Sequence, residues 1–232
     1  GIGLYGSVYL MPVFLAFVRG HQALRIGGIL LVPGAAQLLT APLAVALERR
    51  LDARLLSGFG FALFGVGLAM SARQTGATDF DTMFLPQAVR GVAIMFCLLP
   101  PTRLALGQLS AERVPDASGL FNLMRNLGGA IGLAMIDTVI YGRLPQHAAA
   151  IAQRLQAGDR ATALSVGIPL DLFDARSQGP LDPAAAAMLE PMIKKLALVQ
   201  SINEAWALVA VLTFAALLAV PFARPAAAVD RG

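Results

Sequence analysis

Long apolar runs separated by short polar turns follow one another along the chain. Six of these runs come close to or exceed the roughly 20 residues that a helix needs to cross the hydrocarbon core of a bilayer. They are residues 1–18, 26–47, 55–72, 83–106, 119–141 and 197–223. The runs lack the alternation of barrel strands, and an open sheet leaves its backbone polar groups unsatisfied in lipid. The pattern predicts an all-α integral membrane protein with six transmembrane helices.

The segment 142–196 is too polar to insert into lipid and too long to be a simple turn. Within it, LPQHAAAIAQRLQ and LDPAAAAMLEPMIKKL carry apolar residues at helical spacing. The second stretch begins with Asp182 as an N-cap and Pro183 at the first helical position. We expect five helices in 1–141, an extracytoplasmic loop with short amphipathic helices in 142–196, and a last helix with a short cytoplasmic tail in 197–232.

Basic residues in the short loops predict the orientation, because Lys and Arg are retained on the cytoplasmic side. One side carries Arg49, Arg50, Arg54, Arg103, Arg113, Arg224 and Arg231, and the other carries Arg19, Arg25 and Arg73. The first side is therefore predicted to be cytoplasmic. On this prediction the first helix runs outward, and the carboxyl terminus lies inside.

Composition agrees with a membrane protein and excludes several other classes. Of the 232 residues, 57% are hydrophobic and 14% are charged, a more apolar mixture than soluble domains have. The net charge of +4 is scattered between apolar runs, which argues against a nucleic-acid surface. The single cysteine, Cys97, and the distant His21 and His147 offer neither a disulfide framework nor a metal site. Soluble-enzyme motifs are absent, so we expect no enzyme activity and no cofactor.

The stretch FNLMRNLGGAIGLAMID, residues 121–137, is unusually polar for a membrane helix. At 100° per residue, its side chains form two neighbouring stripes. One stripe contains Arg125, Gly129, Gly132 and Ile136, and the other contains Asn126, Ala130, Leu133 and Asp137. Gly128 and Gly132 make a small-xxx-small pair that allows another helix to approach closely. We interpret the glycines as packing positions.

Arg125 lies six residues, or roughly 9 Å, inside the cytoplasmic end of its helix. Two interpretations stay open. Its long side chain snorkels to the inner headgroups, or it makes a polar contact inside the bundle with Asn122, Asn126 or a neighbouring carbonyl.

Arg90 lies deeper in the membrane, with Gln87 one turn before it and Gly91 beside it. Asp137 occupies a similar depth in the outer third, and a buried arginine and aspartate reduce each other's desolvation cost. We predict an Arg90–Asp137 pair. The alternative is that Asp137 is hydrated while Arg90 bonds to carbonyls or lines a wet cavity. Trp206, near the outer end of the last helix, is expected to anchor it at the interface.

Four stretches carry a resemblance to a known family. They are GLYGSVYLMPVFL at 3–15, GGILLVPGAAQLLTAPLAVALERRLDARLL at 27–56, PQAVRGVAIMFCLLP at 86–100 and ASGLFNLMRNLGGAIGLA at 117–134. Together they resemble the carboxyl-terminal part of the fourteen-helix drug:proton antiporters of the major facilitator superfamily. The segment ending RNLGGAIG is the most specific of them.

The resemblance implies the carboxyl-terminal bundle of a proton-coupled exporter of drugs or other hydrophobic compounds, working by alternating access in the bacterial inner membrane. Its partners would be lipid, protons, a small hydrophobic substrate and an amino-terminal bundle outside this chain. The resemblance places Arg90, Gly91, Arg125, Asn126, Gly128, Gly129 and Gly132 at recurrent motif positions.

The loop ERRLDAR resembles a weakened cytoplasmic gating loop, whose candidates are Arg49, Arg50, Asp52 and Arg54. The loop lacks the family's usual glycine near Glu48 and Arg49.

The start at glycine rather than methionine leads us to expect a fragment of a longer polypeptide. Two other hypotheses stay open. One is a transporter of the same superfamily for a specific metabolite. The other is a truncated remnant or interaction module that does not transport.

Overall fold

The chain folds into α-helices, and no strand occurs among the described residues. The computed structural model describes residues 1–107, 109–174 and 183–223. The helices are α1 (Ile2–Phe17), α2 (Ala23–Glu48), α3 (Ala53–Ser71), α4 (Phe80–Leu106), α5 (Val114–Gln156), α6 (Arg160–Val166), α7 (Leu170–Asp174) and α8 (Pro183–Leu217), followed by a 3₁₀ turn at Val220–Phe222. The predicted all-α class is confirmed.

Each of the six predicted spans coincides with a helix. Five helices, α2, α3, α4, α5 and α8, are long and apolar enough to cross a membrane. The sixth, α1, is apolar but has 16 residues. On α2, Leu24, Leu31 and Leu38 follow at seven-residue intervals and are 90%, 70% and 76% exposed, as expected for a surface that meets lipid. The chain is a multi-pass membrane protein.

The segment 142–196 differs from its predicted form. α5 continues through Tyr141 to Gln156, and α8 begins at Pro183 rather than at residue 197. The predicted amphipathic helices are therefore extensions of the two membrane helices, with the short α6 and α7 between them. The physical reason is that a more polar sequence ends the apolar run but not the helix, since the alanine-rich sequence has high helix propensity. The predicted N-cap, Asp182, lies outside the described residues.

These helix extensions have an apolar core of their own. Ile151 and Leu155 of α5 pack with Ala163 of α6, Phe173 of α7 and Ile193 of α8. α6 ends at Val166 and is followed by Gly167, whose φ of +95° places it in the left-handed conformation that favours glycine. The described residues between 142 and 196 thus contribute a small packed helical unit beyond the predicted spans.

The main bundle is built around α8. α5, α3 and α1 pack against α8, while α4 packs between α2 and α3. The central core includes Leu10, Phe14, Leu68, Ile136 and Trp206, all at most 1% exposed. Because lipid is as apolar as these side chains, close van der Waals packing rather than escape from water holds such helices together.

Asp79 joins two helix connections at one end of the bundle. Its carboxylate is 2.9 Å from Arg19, 3.0 Å from His21 and 3.4 Å from Arg25, all from the α1–α2 region. The hydrogen bonds from His21 and Arg19 hold the pKa of Asp79 well below its usual range, so the carboxylate stays ionised at neutral pH. The α1–α2 and α3–α4 connections therefore lie at the same end, as the predicted topology requires.

Two polar residues of α8 make further contacts at this end of the bundle. Asn203 bonds both the amide and the carbonyl of Gln74, at 3.0 and 2.8 Å. Glu204 is 2.9 Å from Arg143 and 3.0 Å from His147 on the α5 extension. At the opposite end, Arg103 of α4 donates to the carbonyl of Glu48, which terminates α2.

Candidate functional site

Arg90 lies in the interior of the bundle and is 4% exposed. Its guanidinium carbon is 4.7 Å from the centre of the Trp206 ring, so α4 and α8 meet through a cation–π contact. Gly67 of α3 makes room for this side chain, because a Cβ there would lie 2.5 Å from Arg90 Cγ. No acidic side chain of the described residues forms an ion pair with Arg90.

Several polar atoms around Arg90 are buried and have no hydrogen-bond partner among the described residues. They are both amide atoms of Gln87, the Nε of Arg90 and the Nε1 of Trp206. Gln87 and Trp206 are both 0% exposed. Each buried unsatisfied group costs about 1–3 kcal/mol, so the buried polar cluster of Gln87, Arg90 and Trp206 has capacity to bind water or another polar group.

Two predictions about this region are wrong. Arg90 does not pair with Asp137, since Arg90 stacks on Trp206 and Asp137 accepts a hydrogen bond from Tyr9. Trp206 is not an interfacial anchor, since its ring lies in the core. The rotation of each helix about its axis explains both differences. Arg90 and Asp137 could meet only if α4 and α5 turned them toward each other, and α8 turns Trp206 toward the core.

Asn126 and Asp137 lie where α1 packs beside α5, and each bonds a tyrosine of α1. Tyr5 Oη donates to Asn126 Oδ1 at 2.7 Å, and Tyr9 Oη donates to Asp137 Oδ1 at 2.7 Å. Asn126 is exposed and Asp137 is half-buried. We call this surface the α1–α5 seam. The two tyrosines were missed by the sequence analysis, although their i, i+4 spacing places them on one face of α1.

Arg125 lies on the wall of an apolar cavity of about 320 Å³, within the range of small-molecule sites. The cavity lies between α1, α3, α4, α5 and α8, and its wall includes Phe61, Phe64, Cys97 and Leu212. The Nε of Arg125 is buried without a partner. Among the described residues Arg125 has no hydrogen bond to Asn122, Asn126 or a neighbouring carbonyl, and its contact with lipid headgroups stays a prediction. Asn122, one turn earlier, is exposed.

The candidate packing glycines lie at close helix approaches. A Cβ on Gly91 would be 2.5 Å from the carbonyl oxygen of Pro33 in α2, and one on Gly129 would be 2.5 Å from the Tyr5 ring in α1. A Cβ on Gly132 would be 3.0 Å from Ile2, whereas one on Gly128 would make only ordinary contacts at 3.8 Å.

The candidate gating residues form a tight turn between α2 and α3. Asp52 caps α3 by accepting the amide of Arg54 at 2.7 Å, and its carboxylate is 3.9 Å from Arg54 Nε. Arg49 and Arg50 are exposed. The contacts of Asp52 within this chain are those of a helix cap.

Curated proteins similar to the chain are bacterial transport and resistance proteins. The chain is 37% identical over 155 residues to the colistin resistance protein EmrB of Acinetobacter baumannii, covering 67% of this chain and 30% of that protein. It is 26% identical over 159 residues to the uncharacterized MFS-type transporter YhcA of Bacillus subtilis, covering 68% and 30%. With the multidrug export protein EmrB of Haemophilus influenzae it shares 25% over 222 residues, covering 95% and 42%.

The chain therefore spans between 30% and 42% of the length of these three relatives. No protein-family model matches the chain. No solved structure matches it either.

Proposed function

We propose that the chain forms the carboxyl-terminal bundle of a proton-coupled exporter of the major facilitator superfamily, because it is similar to two proteins called EmrB, one a colistin resistance protein and the other a multidrug export protein. The cargo is a drug or another hydrophobic, amphipathic compound. The complete exporter contains a second bundle, and the two move by alternating access in the bacterial inner membrane. The carboxyl end of the chain lies in the cytoplasm.

The buried polar cluster around Arg90 is the observation that carries this proposal. Apolar residues would pack here at a lower free-energy cost, because a charge in a membrane interior is expensive. Such a charge typically marks a transport pathway. Gln87 and Arg90 keep hydrogen-bonding capacity that the described residues leave unused. Water that carries a transported proton can hydrogen-bond to these side chains when the bundle changes conformation.

Substrate contacts are assigned to two other parts of the bundle. The apolar cavity beside Arg125 suits a hydrophobic body, while Asn122, Asn126 and Asp137 supply polar contacts along α5. Close approaches at Gly91 and Gly129 let α4 and α1 move against their neighbours with small side-chain rearrangements.

Arg49 and Arg50 form no ion pair with the described residues, which leaves the cytoplasmic turn available to an acidic partner on the second bundle. We assign three roles along the chain. Residues 1–141 form the membrane bundle, 142–196 form the outer unit, and 197–232 form the last helix with its tail. In this division the outer unit lies outside the cytoplasm.

Transport by the complete polypeptide tests the proposal. Inverted membrane vesicles that contain it are prepared with a lumen more acidic than the outside medium. A fluorescent amphipathic dye is added to the outside medium. We expect dye to accumulate in the lumen and protons to leave it, both abolished by collapsing the gradient. Vesicles that accumulate no more dye than vesicles lacking the protein would contradict the proposal.

A further inference from the structure

The positive charge of Arg90 is buried in the bundle without a counter-charge from the described residues. Its guanidinium forms no ion pair with them, and it contacts the Trp206 ring instead. Two carboxylates of the helices around it are bonded elsewhere, since Asp137 accepts from Tyr9 and Glu204 is paired with the α5 extension. A cation–π contact offsets only part of the free-energy cost of removing an ion from water. The interior around Arg90 therefore favours a negatively charged partner.

Most of the unpartnered polar atoms in this cluster are hydrogen-bond donors. The Nε of Arg90, the Nε2 of Gln87 and the Nε1 of Trp206 are buried and find no acceptor in the described part of the chain. Gln87 precedes Arg90 by three residues, which places both side chains on one face of α4. Arginine and tryptophan side chains donate hydrogen bonds and do not accept them. A partner for this face of α4 must therefore be an acceptor.

A small cavity beside the cluster extends toward the α3–α4 connection. Its volume is about 50 Å³, and its wall includes Ser71 of α3 together with Met83 and Pro86 of α4. Met83 comes one turn before Gln87, so both side chains lie on the same face of α4. Such a volume suits one small ion or a few water molecules and is far too small for a drug-sized compound. Arg73 lines the same cavity and is exposed, which gives the approach to Gln87 a positive charge.

We propose that Arg90 and Gln87 bind a small monovalent anion of the halide class, which reaches them through this cavity. Arg90 supplies the positive charge, and the side-chain amide of Gln87 donates a hydrogen bond. Water satisfies the same donors but leaves the charge of Arg90 uncompensated, so the anion is the more stable partner in a low-dielectric interior. The anion site goes beyond the export function and does not depend on it.

The fluorescence of Trp206 measures this binding directly. It is the single tryptophan of the chain, its ring is buried, and it contacts Arg90. Iodide is the probe, because it is a halide that quenches indole emission on contact. The purified chain is titrated in detergent micelles at constant ionic strength, with gluconate as the replacement anion. We expect quenching that saturates with iodide and is reversed by chloride, whereas the neutral quencher acrylamide should have little effect on the buried ring.

Three variants test the assignment of the residues. Arg90→Gln should abolish saturable quenching. Gln87→Leu should weaken iodide binding about tenfold, the expected loss for one hydrogen bond to a charged group, while it keeps the contact between Arg90 and Trp206. Arg154→Gln is the matched control, because it removes the same charge from an exposed position on the α5 extension, and it should leave the iodide affinity unchanged.

Thermal unfolding in the same micelles shows that each variant is folded, and chloride should raise the unfolding temperature of the wild type but not that of Arg90→Gln. Quenching that rises without saturation, that chloride does not reverse, or that keeps its affinity in Arg90→Gln or Gln87→Leu would overturn the proposal and leave the cluster to water. Dye transport is not measured here, so a failure of the export function would leave the expected quenching unchanged.

Discussion

Arg90→Ala will reduce proton-driven dye accumulation by the complete polypeptide at least tenfold, while the protein still inserts into the membrane. The arginine is the charged group of the buried polar cluster, and alanine removes both its charge and its contact with Trp206. A tenfold loss corresponds to about 1.4 kcal/mol of transition-state stabilisation. Initial rates of dye uptake in inverted vesicles, normalised to the amount of inserted protein, measure the effect.

Two further variants separate charge from packing. Arg90→Lys keeps a positive charge but loses the planar group that stacks on the indole, so its rate should fall between those of the wild type and Arg90→Ala. Arg154→Ala, at an exposed position on the α5 extension, should transport at the wild-type rate. Wild-type transport by Arg90→Ala would remove Arg90 from the transport pathway.

Gly91→Leu will prevent α4 from packing on α2 and will lower the free energy of unfolding by about 3 kcal/mol, the upper part of the range for overpacked cores. The obstacle is backbone, because even a Cβ at this position would meet the Pro33 carbonyl oxygen at 2.5 Å. A carbonyl in a helix cannot rotate away as a side chain can. Thermal unfolding of the purified chain in detergent micelles measures the loss.

Gly34→Leu on α2 provides the matched control for this substitution. Nothing lies within 4 Å of a Cβ built on Gly34, so leucine there should leave stability unchanged or raise it slightly through helix propensity. If the two variants unfold at the same temperature, the close approach of α2 and α4 at Gly91 is not important for stability.

Apolar length was sufficient to predict the spans, since lipid imposes that length on every crossing helix. It was insufficient to predict helix ends, because α5 and α8 continue where their sequences become polar. Arg90 and Gln87 stood out in the sequence as polar residues in an apolar run. Their neighbour Trp206 did not, because the rotation of α8 relative to α4 depends on packing along their whole length.

The α1–α5 seam shows the same limit. Asp137 was recognisable in the sequence as a residue with a high desolvation cost in a membrane helix. Its partner was assigned only from similar depth in the membrane. Tyr9 lies in a different helix, 128 positions earlier in the chain, and an aromatic residue in a membrane helix is ordinary by itself. Its spacing from Tyr5 was the available signal, and that signal gains meaning only once α1 is known to lie against α5.

The sidedness of two helix connections in intact cells tests the membrane-spanning bundle most directly. Cys97 is replaced by alanine, and single cysteines are placed at Arg49 in the α2–α3 turn and at Arg73 in the α3–α4 connection. A thiol reagent that does not cross the membrane should label the cysteine at position 73 from outside and reach that at position 49 only after the cells are opened. Labelling of both positions from the same side would contradict the membrane-spanning bundle and the transport function that depends on it.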